Sequence, residues 1–337
     1  MEPLHWFRMF LRILWLGMVA ILGASDAFAL IERRVDRHFE ISAVASLKID
    51  TFSGSVHVNQ GDSSAIEITV IEQCDVEKEA TMEERLRNLD LRIEQKASAV
   101  SITTRYHRHL AWTWQAWPPV MLTYEIKVPR RCDVEVITRD GSIVVGALQG
   151  RVSLTNESGK IFTGEIDGQV KALSYSGEVA VTACTGPVDV RTTSGNIIVG
   201  RAKGRTQLTS AGGYIDLQEA AGEVVVRGNG TDAKIGFASP IKAGADIVTS
   251  GGNIVLIMDN TSACTLDLTS SVFGRVKARH ITIVATSGGL NHSSLVGTVN
   301  GGGPRIVANA DGGNVLVRGL DPIPAVGVTD VPASPTQ

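Results

Sequence analysis

The sequence predicts an all-β fold, a single-stranded parallel β-helix (β-solenoid) with about 18 residues per regular coil and a short N-terminal capping helix. Three observations predict it. Glycine recurs at every ninth position from Gly141 through Gly150, Gly159, Gly168, Gly177, Gly186, Gly195, Gly204 and Gly213 to Gly222. Two residues after each glycine stands a β-branched side chain, Ile143, Val152, Ile161, Val170, Val179, Val188, Ile197, Thr206, Ile215 or Val224. Before alternate glycines, the residue three back is Thr138, Asn156, Ser174, Thr192 or Ser210, which doubles the period from 9 to 18.

Within one nine-residue unit, the fourth position after the glycine is mostly aliphatic, as in Val145, Leu154, Val181, Val190 and Leu208. Apolar residues two apart with polar residues outside them describe a short strand with one buried face. Each unit is therefore a strand and a turn, and the turn glycine is expected to supply a positive φ. Two rival repeats do not fit. Hexapeptide helices repeat an aliphatic every six residues, and calcium-binding nonapeptide rolls need an Asp at a fixed place, whereas Asp189 and Asp216 are occasional.

The remaining segments frame the repeats. Residues 1–29 read as a signal peptide, with His5, Arg8 and Arg12 before an apolar run and Ala27-Phe28-Ala29 as a cleavage site. Export to the periplasm or the cell exterior follows, with an N-terminal membrane anchor as the alternative. Residues 30–136 carry alternating runs that read as strands, and residues 76–88 read as a helix with Met82, Leu86 and Leu89 at helical spacing. Such a helix suits the open end of a stack, whose last strand would otherwise expose its edge. Residues 137–320 are the β-solenoid repeats. Their register loosens after Gly222, but the corner signature returns at Thr249-Ser250-Gly251-Gly252-Asn253, Thr286-Ser287-Gly288-Gly289 and Ala310-Asp311-Gly312-Gly313-Asn314. Asn300-Gly301-Gly302-Gly303-Pro304 marks a sharp turn, and the Pro-rich residues 321–337 read as a disordered tail.

Several of these stretches carry a resemblance: Glu32-Arg33-Arg34-Val35, residues 47–58 (LKIDTFSGSVHV), Tyr124-Glu125-Ile126-Lys127-Val128-Pro129, the Thr193-Ser194-Gly195-Asn196-Ile197 type of turn, and residues 297–317. Through them the chain is similar to the bacterial putative-adhesin family of unknown function, exported parallel β-solenoids related to adhesin-head domains. The resemblance spans residues 32–319. It implies a β-helix and an envelope location, and it brings no activity and no catalytic residue set.

Three candidate sites stand out. Trp112, Trp114 and Trp117 follow His107 and His109 and precede a proline pair. They read either as an exposed platform for sugar, peptide or lipid, or as a hairpin folded over the repeats. His107 and His109 lack a neighbouring third ligand in the sequence, so no metal is assigned, and no cofactor either. The third position after alternate glycines forms an apolar stripe, Val144, Phe162, Ala180 and Ile198, ending at Asp216. This stripe faces outward, to be covered by the N-terminal region or used as an interface, including for self-association. Of four cysteines, Cys74 and Cys132 are the preferred disulfide pair, because both lie in the non-repeating part.

A formal net charge of -3 excludes electrostatic steering toward nucleic acid. The function expected is a non-enzymatic exported envelope scaffold, an adhesin or surface-interaction protein whose partner is an envelope protein or a glycan. The alternatives are a polysaccharide-active β-helix enzyme with its site within residues 228–303, and a periplasmic partner in envelope-stress signalling.

Overall fold

The computed structural model describes residues 30–42, 44–75, 79–106, 120–271 and 273–320. The protein is all-β: 26 strands form one continuous mixed sheet, with a single short helix among the described residues. Most pairs are parallel. On one face Val152 lies beside Val134 and Val170, Val170 beside Val188, and Val188 beside Thr206. On the other face Ile161 lies beside Ile143 and Val179, and Val179 beside Ile197. Every step in these two columns is 18 residues, as the doubled glycine period predicts. Two strands, one on each face, make a rung.

The β-branched residues line the interior. Ile143, Val152, Ile161, Val170, Val179, Val188, Ile197, Thr206, Ile215 and Val224 are all buried, and the aliphatics two residues on pack between them. Side chains on a pleated strand alternate in direction, so the intervening positions face outward.

The Thr/Asn/Ser position before alternate glycines is inside as well. Thr51, Thr104, Thr138, Asn156, Ser174, Thr192, Ser210 and Thr249 are buried along one corner. Several of these side chains hold the turn: Thr51 donates to the Ser53 carbonyl (2.8 Å), Thr138 to that of Asp140 (3.1 Å), and Asn156 to that of Gly141 (2.8 Å).

Apart from Gly150, which has φ 148° at the second corner, the two kinds of turn glycine differ in what they require. Gly177, at the corner with the polar signature, has φ 131°, as expected. Gly186, at the opposite corner, has no positive φ; there a Cβ would strike the carbonyl of Gly168 in the rung below. One glycine is selected by backbone conformation and close stacking, the other by close stacking alone.

At both ends the spatial order departs from chain order. Ala45–Ser53 and Ser55–Gln60 form a rung between Ala99–Tyr106 with Met121–Val128 on one side and Cys132–Asp140 with Ile143–Val145 on the other. Near the C-terminus, Arg305–Asp311 and Val315–Gly319 are inserted between Ala245–Ser250 with Ile254–Met258 and Cys264–Ser270 with Val276–Arg279. Antiparallel strands close the stack. Leu89–Lys96 pairs with Ala99–Tyr106, Ala65–Asp75 with Met121–Val128 and Leu30–Glu40, and Ser294–Val299 with Cys264–Ser270.

Two local readings change. Thr286-Ser287-Gly288-Gly289 is not a corner of the stack: Val284–Gly288 is an exposed strand running antiparallel to Ser294–Val299. The helix expected over residues 76–88 spans Glu79–Leu86, with Met82 and Leu86 in the core. The turn at Asn300 is present, with positive φ at Asn300, Gly301 and Gly302.

Candidate functional site

The outer surface divides into two unlike faces. The face built on Val152 and Val170 is charged, with cross-strand pairs Lys48–Glu135 (3.1 Å), Arg227–Asp246 (2.5 Å) and Arg305–Asp267 (2.5 Å). Such exposed pairs contribute little individually. The face built on Ile161 and Val179 carries the apolar stripe. Val144, Phe162, Ala180 and Ile198 lie in one column, each beside the next, and Phe162 is 44% exposed. The column does not stop at Asp216. It continues through Lys234, Val255 and Leu316 to Lys277, and Asp216 pairs with Lys234 at 3.2 Å.

Val255 and Leu316 floor a groove of about 450 Å³, with Tyr214, Asp216, Lys234 and Lys277 at its sides. The flanking column is an amide ladder. Asn196 Oδ1 accepts the Tyr214 N–H (3.2 Å), Asp232 accepts that of Asn253 (2.7 Å), Asn253 that of Asn314 (3.0 Å), and Asn314 that of Arg275 (3.0 Å). This ladder locks the rungs at the corner where the face begins. It also explains the Asn of the Gly-Gly-Asn turns.

A second concavity, of about 710 Å³, lies toward the N-terminal end, lined in part by Arg34, Asp36, His57, Glu67, Glu125 and Lys127. Thr69 donates to Asp36 (2.6 Å), as does Arg34 (3.1 Å), and these bonds hold the Asp36 carboxyl below its usual range. Both signs of charge alternate here, so the groove has no net preference for an ion. On the strand that carries Thr69, Glu72 is fully buried with Arg33 Nε at 2.5 Å, while its second oxygen has no hydrogen-bond partner. The pairing of Arg33 with Glu72 across antiparallel strands fixes the register there.

Trp112, Trp114, Trp117, His107 and His109 lie outside the described residues. The disulfide expected between Cys74 and Cys132 does not form: neither residue is in a disulfide, and all four thiols are buried. Their strands account for this, since Cys74 stands opposite Ile31 in the antiparallel layer and Cys132 opposite Ala45 in the parallel stack. Burial pushes the Cys132 thiol up to about 12 and that of Cys264 to about 11, which removes nucleophilic character. Among the described residues no group of three His, Cys, Asp or Glu side chains is placed to hold a metal, and no helix is long and apolar enough to cross a membrane.

No family model and no curated protein matches the chain. Among solved structures it is similar to a putative adhesin from Bacteroides fragilis, at 9% identity and a TM-score of 0.44, over 86% of this chain and 97% of that one. Putative adhesins, the family the sequence resembles, are among its structural neighbours. Another, from Parabacteroides distasonis, has 12% identity and a TM-score of 0.39, over 86% and 97% of the two chains. A putative lipid binding protein from the same species has 12% identity and a TM-score of 0.36, over 85% and 96%. Likenesses this distant carry nothing about partner or chemistry.

Sequence reasoning placed the stripe but ended it too early. The missing signal was present: Val255 and Leu316 stand three residues after Gly252 and Gly313, as Phe162 does after Gly159. The N-terminal groove gave no such signal, because its residues come from strands with no common period.

Proposed function

We propose that the protein is a non-enzymatic, exported β-solenoid of 18-residue coils that works as a surface-interaction scaffold in the cell envelope, adhesin-like in role. The observation that supports it is the outward column from Val144 to Leu316, two apolar runs on either side of the Asp216–Lys234 pair on one face. Outward apolar runs rimmed by charge are the usual form of a contact surface. Stacked strands suit that task, because their outward side chains are held at fixed spacing by the ladder beneath. Export is supported by the basic, then apolar, then Ala-Phe-Ala order of residues 1–29. The test is binding of the purified protein to envelope fractions and to a glycan array, alongside Phe162→Asp. Binding that Phe162→Asp abolishes without lowering the melting temperature supports the reading. Turnover of a polysaccharide, or binding indifferent to Phe162, contradicts it.

A further inference from the structure

The apolar face has a property beyond its exposure: its two halves complement each other. From Phe162 to Lys277 the column reads Phe, Ala, Ile, Asp, Lys, Val, Leu, Lys. Consider a second copy turned about a two-fold axis that runs along the strands and passes between the Asp216 and Lys234 rungs. The order of rungs reverses, and each column meets its own counterpart. Asp216 then faces Lys234 of the second copy, Ile198 faces Val255, and Ala180 faces Leu316. Phe162 meets Lys277, a cation against an aromatic ring.

In the same arrangement Tyr214, on the flank of the column, faces the Asp232 carboxylate of the second copy. The half of the face that carries the exposed Phe162 meets the half that holds the groove lined by Val255 and Leu316 in the other copy.

We propose that this face is a self-complementary interface and that its partner is a second copy of this chain, packed antiparallel. The alternative two-fold, along the stack, sets each rung against itself and places Asp216 on Asp216 and Lys234 on Lys234, a repulsive arrangement. Size is adequate. Eight rungs about 4.8 Å apart, with strands about 16 Å wide, give about 600 Å² per copy. The pair therefore buries about 1,200 Å², the lower end of what holds a specific complex. The inference rests on reading the face as a contact surface, and it deepens that reading by naming one partner.

The experiment is sedimentation of the full chain with charge-reversed variants, each checked for fold by circular dichroism. The wild type is expected to be a dimer. Asp216→Lys and Lys234→Asp each place like charges across the axis twice, and each is expected to weaken dimerisation by about tenfold or more. Mixing the two variants restores opposite charges at both contacts and is expected to recover a heterodimer. Both variants lose the same ion pair within the chain, so a merely structural effect would not be rescued by mixing. A wild type that stays monomeric to millimolar concentration overturns the proposal, as do variants that still dimerise or a mixture that stays monomeric. A monomer whose envelope binding is still lost with Phe162→Asp would overturn the dimer while leaving the contact-surface reading in place. A dimer indifferent to envelope components would do the reverse.

Discussion

The middle of the molecule and its two ends obey different rules. Between Leu148 and Asn229 each strand pairs with the strands one period before and after it, so chain order and spatial order coincide. At the ends they part. The rung of residues 45–60 lies inside the one formed by residues 99–128, and the rung of residues 305–319 lies inside the one formed by residues 264–279. In a simple stack the last rung is held on one side only and frays. Here the first and last parallel rungs are held on both sides, and antiparallel strands cover what remains.

The largest expected effect separates a charge in the middle from one at the end. Ile197, fully buried between Val179 and Ile215, belongs to the regular core, and Ile197→Asp is expected to unfold the repeats by leaving an unpaired charge inside. Ile306→Asp, equally buried between Ala245 and Leu266, should instead release the C-terminal end and leave the middle folded. Hydrogen exchange on both variants checks this. In the second, residues 264–279 should lose protection together with residues 305–319, because their parallel strand pairing to the body of the stack runs through that rung.

Next in size are the turn glycines. Gly177→Ala meets two costs, a strained positive φ of about 1 to 2 kcal/mol and a clash with the Gly159 carbonyl. Gly186→Ala meets the clash with the Gly168 carbonyl alone. Urea melts should rank Gly177→Ala as the more damaging, and the reverse order would show that φ is not what distinguishes the corners. Smaller again is Asn253→Ala, which removes the acceptor of the Asn314 N–H (3.0 Å). A cost of about 1 kcal/mol is expected, read in the same melts.

The cysteines give the smallest effect. Burial raises all four thiols, to about 12 for Cys132 and about 11 for Cys264. For a group whose folded pKa is raised, stability is fully present below the unfolded value, here near 9, and falls as the pH climbs toward the folded one. The melting temperature should therefore decline above that point, by less in Cys132→Ala. A thiol reagent should label the protein only in denaturant.

The interior was legible in the sequence because one interaction, a β-branched side chain stacked on its copy 18 residues away, repeats without exception from Ile143 to Val224. Periodicity reports neighbours in a stack only while the chain winds in order. It was therefore silent about the insertion of residues 305–319, although the Gly-Gly-Asn turns at Asn253 and Asn314 mark two rungs that touch. The same silence shortened the apolar stripe, whose second half belongs to those rungs. Pairing of Arg33 with Glu72 had no signal at all, since antiparallel partners 39 residues apart share no repeat.

The inserted rung is the claim on which this account of the ends depends, and engineered cysteines test it directly. Val248, Asn309 and Thr269 all point outward at one register position, with Asn309 between the other two. Adjacent strands bring outward Cβ atoms within disulfide range, whereas strands two apart do not. Oxidation of Val248→Cys with Asn309→Cys is predicted to close an internal disulfide, while Val248→Cys with Thr269→Cys remains reduced. The opposite outcome, a bridge between positions 248 and 269 and none between 248 and 309, would mean that the rungs follow chain order and would contradict the account.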